Sequence, residues 1–167
     1  MNGRAWRFGD DVDTDAVIPG RFLVDWSRNP QKLRDNCFID ARPEFAAKVA
    51  AEDFVTAGRN FGCGSSREGA ALALKLCGVR AVIAVSFARI FYRNCINVGL
   101  PALESPDAGD IADGDTLDID MQAGLIRNLS QRRTCAFRPV PPFLLEILDA
   151  GGLAPYVQAR LARSQAL

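Results

Sequence analysis

The sequence predicts an α/β domain with a mostly parallel central sheet, flanking helices and a small additional β layer. Three observations carry that prediction. An extended apolar run, Phe54-Val55-Thr56-Ala57, feeds a glycine turn and then a helical pattern over residues 66–76. A second apolar run over 79–85 is followed by another helical pattern and a brief apolar stretch at 100–103. Strand, helix, strand, helix in that order implies parallel pairing with right-handed crossovers. From Gly109 onward the apolar spacing switches to period two, which marks the small β layer.

Taken in order, residues 4–8 alternate as a short strand with Trp6 and Phe8 on one face. Four aspartates in six positions follow, Asp10, Asp11, Asp13 and Asp15, which reads as a solvated turn or as a turn with Asp15 pointing inward. A calcium loop is excluded, because the run enters Ala16-Val17-Ile18-Pro19 without the glycine such a loop needs. Pro19-Gly20-Arg21 is a turn, followed by the apolar run Phe22-Leu23-Val24. Helices are predicted over 30–37, with Asn29 as cap and Pro30 at the first helical position, and over 42–50. Gly78 ends the central helix, Ser86 caps a helix over 87–97, and Gly99 closes it. Strands are predicted at 115–120, 124–126 and 134–137, then helices over 141–150 and 153–161 and a frayed polar tail. No repeat or linker divides the chain, so residues 1–167 are expected to form a single domain.

Twenty basic residues balance twenty acidic ones, so nothing in the charge points to nucleic acid or to an anionic membrane surface. The first residues lack the apolar core of a signal peptide, and no window is long and apolar enough to span a bilayer, so the cytoplasm is the expected location. Five scattered cysteines without a C-x-x-C pair, and no histidine, supply no zinc or cluster site, and no metal site is expected in this chain. Cys63 alone lies between two glycines of the loop described next.

The chemistry is expected in Gly58-Arg59-Asn60-Phe61-Gly62-Cys63-Gly64-Ser65-Ser66-Arg67-Glu68. Glycines let the main chain approach a ligand closely, and a helix starting there would aim free N–H groups at an anion. Ser65 to Glu68 fits the S-x-x-E capping box with Ser65 as the cap. A second serine adds nothing to a cap, however, and the planar guanidinium of Arg67 suits a carboxylate or phosphate. A small anion is therefore expected at Ser65, Ser66 and Arg67. The glycine spacing matches neither G-x-G-x-x-G nor the phosphate loop. A serine-hydrolase elbow would need a histidine this chain lacks.

These blocks resemble a known family. Gly9-Asp10-Asp11-Val12-Asp13-Thr14-Asp15 with Ile18-Pro19, the loop above, and Ser86-Phe87-Ala88-Arg89-Ile90-Phe91-Tyr92-Arg93-Asn94 with Asn97-Val98-Gly99-Leu100-Pro101 are similar, in order, to the small subunits of the 3-isopropylmalate dehydratases. Those subunits match the C-terminal domain of aconitase. The resemblance implies a swivelling β/β/α domain that works with a separate large subunit carrying a 4Fe-4S cluster. It implies loss and re-addition of water on a branched 2-hydroxy dicarboxylate in leucine biosynthesis, with the cluster iron activating the leaving hydroxyl. It also implies Ser65 as the base that takes the carbon-bound proton, Asp15 as an active-site carboxylate, and Ser66 and Arg67 as carboxylate binders. Phe22, Leu23 and Val24 fall on the family's substrate loop, where an apolar Val24 suits an alkyl branch and an arginine would suit an extra carboxylate.

Two departures stand out. Gly69 occupies a position where members commonly carry His, which removes a side chain from the first helical turn at a cost of up to roughly 1 kcal/mol. Asp25 and Trp26 are unlike the usual loop, which leaves dimethylmalate dehydratase and homoaconitase as alternatives within the chemistry. A non-catalytic anion-binding module is the alternative outside it.

Overall fold

In the computed structural model, which describes residues 1–165, the first strand β1 (Asn2–Arg7) sits at the centre of a seven-stranded sheet. On one side lie β2 (Phe54–Ala57), β3 (Ala81–Ala84) and β4 (Ala102–Glu104), all parallel to one another and to β1. On the other side lie β5 (Thr116–Asp120), β6 (Leu125–Asn128) and β7 (Arg133–Ala136), all antiparallel. Strand β1 changes partner along its length, pairing with β5 through residues 2–4 and with β2 through residues 5–7. It is the seam between the two halves.

β2 and β3 are buried at every position, as parallel strands covered on both faces must be. Alternate residues serve two cores. Trp6, Val55, Ala57, Val82 and Ala84 face a helical layer holding Phe38, Phe45, Leu74 and Phe91. Ala5, Phe54, Ala81, Ile83 and Leu103 face the antiparallel strands through Leu117, Ile119 and Ile126. Each fully buried Phe or Leu contributes about 1.5–3 kcal/mol of transfer free energy, so a one-residue slip in β2 or β3 would disrupt both cores. The start of β1 is held by buried Asp53, which accepts from the Arg4 amide at 3.0 Å, the Trp6 indole at 2.9 Å and the Ala50 amide at 3.0 Å. A buried carboxylate needs such partners.

The helices are α1 (Thr14–Val17), α2 (Gln31–Asp35), α3 (Phe45–Lys48), α4 (Gly69–Leu76), α5 (Arg89–Val98), α6 (Pro142–Asp149) and α7 (Leu153–Gln165). Helices α4 and α5 are the crossovers of the parallel half, and Gly99 ends α5 in the left-handed conformation at φ 75°. The two early helices are shorter than their sequence patterns suggest. Pro30, not Asn29, occupies the cap of α2, without a side-chain bond, and residues 42–44 stay outside α3. Ser86 does not cap α5; its hydroxyl accepts from the Asn60 amide at 2.9 Å and ties β3 to the glycine loop instead. The tail expected to fray after residue 161 continues as helix to Gln165, and its last two residues lie outside the described ones. No helix among the described residues is long and apolar enough to cross a membrane.

Candidate active site

The aspartate run and the glycine loop are laid against each other at the end of β1 and β2. Asp10 accepts from the Arg59 amide at 2.7 Å, and Asp11 accepts from the Asn60 side chain at 2.8 Å. The Gly62 amide donates to the Val12 carbonyl at 2.7 Å, and the Thr14 amide to the Cys63 carbonyl at 2.8 Å. Asp13 caps α1 by accepting from the Ala16 amide at 2.6 Å. All four aspartates are exposed, as expected of a solvated turn, and the turn is at the same time docked on the glycine loop. Gly62 is required here, because it takes φ +79° and a Cβ would lie 2.1 Å from Cγ of Phe91.

Ser65 is held from both sides. Its amide donates to Thr14 Oγ1 at 3.0 Å. Its own hydroxyl oxygen accepts from the Arg67 amide at 3.2 Å and from Arg67 Nε at 2.9 Å. This local turn replaces the capping box. Helix α4 opens only at Gly69, with Glu68 at its cap and making no side-chain bond there. Ser65 is therefore not a helix cap, and an anion at this loop would meet Arg67 before it met the helix end. Two N–H donors on one hydroxyl oxygen, one of them cationic, stabilise negative charge on that oxygen.

The guanidinium of Arg67 also faces Asp15, with Nη2 to Oδ1 at 3.8 Å. These side chains are 56% and 64% exposed, so their attraction is largely screened, and Asp15 points outward rather than into the core. Ser66 is exposed, and its carbonyl accepts from the Asn94 side chain on α5 at 3.1 Å. Sequence patterns placed Thr14 and Asn94 in notable motifs without showing that they brace this loop from opposite ends.

Beside Arg67 opens a cavity of about 240 Å³, walled by Gly20, Leu23, Val24, Trp26, Glu68 and Gly69 as well. Val24 is exposed at its mouth and Trp26 half-buried. Phe22 is not one of its walls; it packs against the helical core with Arg21 over its ring at 4.7 Å. Gly69 has a clear reason. A Cβ there would lie 2.3 Å from Cδ2 of Leu23, so Leu23 fills the space a larger residue would take. Leu23 is half-buried and borders the cavity, so its end can turn aside, and a Gly69→Ala change sets that small displacement against a helix-propensity gain of up to roughly 1 kcal/mol. We expect the melting temperature to change by no more than a few degrees, at roughly 2–4 °C per kcal/mol, in a calorimetric scan.

Cys63 donates weakly to the Asp11 carbonyl at 3.6 Å. Burial and then the carboxylates of Asp13 and Asp11 push its thiol above the usual range, which keeps it protonated and a poor nucleophile. Cys37, Cys77 and Cys95 are buried in the helical core and Cys135 lies on β7. Among the described residues no group of three or more metal-ligating side chains converges, so this chain's residues do not fit an iron–sulfur cluster.

A β/β/α fold with a glycine loop, a doubly bonded serine and an arginine at its edge defines a class. The family model for the aconitase C-terminal domain matches residues 11–108. The 3-isopropylmalate dehydratase small subunit of Wolinella succinogenes is 50% identical over 163 residues, which cover 98% of this chain and 96% of that protein. The small subunit of the same name from Methanosarcina mazei is 54% identical over 158 residues, covering 95% of this chain and 96% of that one. The isopropylmalate/citramalate isomerase small subunit of Methanocaldococcus jannaschii is 46% identical over 166 residues, covering 99% and 98%. A crystal structure of 3-isopropylmalate dehydratase from that organism superposes with a TM-score of 0.93 at 45% identity, covering 100% of this chain and 99% of that one. The chain belongs to the aconitase family, and within it to the 3-isopropylmalate dehydratase small subunits.

Proposed function

We propose that this chain is the small subunit of a hydro-lyase that acts only with a large subunit, and that its substrate is a branched 2-hydroxy dicarboxylate, 3-isopropylmalate before others. The 4Fe-4S cluster that the family resemblance implies is assigned to the partner, since the side chains here cannot hold it. In this reading Arg67, with Ser66 beside it, grips a substrate carboxylate. Ser65 Oγ, as the alkoxide that the two Arg67 donors stabilise, takes the proton from the carbon next to the one bearing the hydroxyl and becomes the neutral hydroxyl. The electron pair of that C–H bond becomes the new C=C bond as hydroxide leaves the neighbouring carbon. In the return step water adds across the double bond in the opposite sense, and Ser65 gives the proton back. Asp15 steadies Arg67 and offers a carboxylate to groups of the large subunit.

The observation that carries this reading is the Ser65 hydroxyl under two donors from Arg67, at 3.2 and 2.9 Å. It supplies the activation that a missing histidine would otherwise have to provide. Leu23 and Val24 in the wall beside Arg67 suit an alkyl branch and offer a second carboxylate no cation. An apolar wall separates single methylenes only by about 1–3 kcal/mol, so citramalate, whose name one relative carries, belongs in the same test.

The chain is to be mixed with the cluster-loaded large subunit of its own organism and assayed on 3-isopropylmalate, citramalate, dimethylmalate and homoaconitate. Turnover should require both chains and be fastest on 3-isopropylmalate. Binding of a dicarboxylate by the chain alone, with no turnover from the pair, would instead identify an anion-binding module.

A further inference from the structure

A cavity larger than the one beside Arg67 lies on another face of the described structure. About 600 Å³ opens between the start of α5, β4 and the segment leading into α6. Phe87, Tyr92 and Leu144 line it, and Arg89, Arg93 and Arg138 stand around it. Glu104 is the one carboxylate in its wall, and it is engaged by Arg138 at 3.5 Å. Arg89 and Arg93 are exposed, with no hydrogen bond or ion pair among the described residues.

A second hollow, of about 330 Å³, adjoins the first through Tyr92, Arg93 and Leu144 and runs on to Asn94. Asn94 is the residue whose side chain donates to the Ser66 carbonyl. The two hollows thus form one groove along α5, and its far wall holds the residue that braces the loop of Ser65. Ile90 in its wall is 41% exposed, and Phe143, next in the chain to Leu144, is 60% exposed, where a monomer gains nothing from displaying them.

We propose that this groove is the docking surface for the cluster-bearing large subunit. It would receive a segment presenting an apolar side chain flanked by carboxylates. The apolar side chain enters between Tyr92 and Leu144, and the carboxylates meet Arg89 and Arg93. The inference rests on the functional reading above, because a half-buried serine on a loop edged by exposed Ser66 and Arg67 can act only if the partner closes over it. The charge of the groove follows: two free arginines, Arg89 and Arg93, beside a carboxylate already paired with Arg138 call for an acidic partner. The Asn94 bond to the Ser66 carbonyl sets this surface beside the loop, so a partner seated on it reaches toward Ser65 and Arg67. The other exposed apolar stripe, Leu153, Val157 and Leu161 on α7, shows no such link to the loop and is left out of this interface.

The test uses the complete chain and the large subunit of its own organism, with affinity read by titration calorimetry and turnover read separately. Arg89→Glu combined with Arg93→Glu should raise the Kd for the large subunit by roughly tenfold or more while circular dichroism stays native. Arg89→Lys with Arg93→Lys should keep most of the affinity. Wild-type Kd should rise with salt, and the reversed pair should flatten that dependence. At saturating large subunit the reversed pair should regain wild-type kcat. Wild-type affinity in the reversed pair would overturn the assignment, as would a loss confined to Val157→Glu. Failure of the wild-type pair to turn over any substituted malate would instead count against the functional reading.

Discussion

Replacing Ser65 with alanine should lower kcat of the reconstituted enzyme by roughly 10²–10⁴-fold, the usual contribution of a positioned acid or base. The fold should not suffer. The Ser65 contact that holds the loop to α1 is made by its amide, donating to Thr14 Oγ1 at 3.0 Å, and alanine keeps it. What disappears is the oxygen between the two Arg67 donors, so the carbon-bound proton has no acceptor on this chain. KM and the affinity for the large subunit should stay within a few-fold of wild type. Steady-state kinetics alongside calorimetric titration would check both halves. A variant that turns over at the wild-type rate would remove Ser65 from the chemistry, and one that no longer assembles would make its role structural.

Arg67→Lys should raise KM by roughly thirtyfold, equivalent to about 2 kcal/mol of a charge-assisted bidentate contact. A smaller fall in kcat should accompany it. The guanidinium does two things at once: Nε bonds Ser65 and Nη2 faces Asp15. A lysine ammonium is a point charge and cannot hold that geometry while gripping a planar carboxylate. Because the side chain is more than half exposed in the isolated chain, thermal stability should hardly change, which separates a binding defect from a folding one. An unchanged KM would show that the substrate carboxylate lies elsewhere.

Much of the fold was legible because its signals are local. The apolar runs at Phe54–Ala57 and Ala81–Ala84 are too uniform for half-exposed strands, and the burial of all their positions follows. Period-two spacing at Thr116–Asp120 marks the antiparallel half as plainly. The site was legible in its residues but not in its wiring. The S-x-x-E pattern predicts a cap at Ser65, yet Ser65 is bonded to Thr14, 51 positions earlier, and to Arg67, and helix α4 starts later. Asn94 reaches the loop from 28 residues away. No local pattern encodes either contact. Gly69 reads in the sequence as a missing side chain, whereas packing shows Leu23 in the space. Phe22, Leu23 and Trp26 all pack against the helical core, but of these only Leu23 and Trp26 also wall the cavity, a distinction their shared apolar character does not encode.

The loop of Ser65 is stitched on both flanks, to Thr14 and Val12 before it and to Asn94 and Ser86 after it. A segment fastened that way has no freedom to act as a flap. Under the proposed function, access for a substrate would then have to come from movement of the whole chain against its partner rather than from this loop.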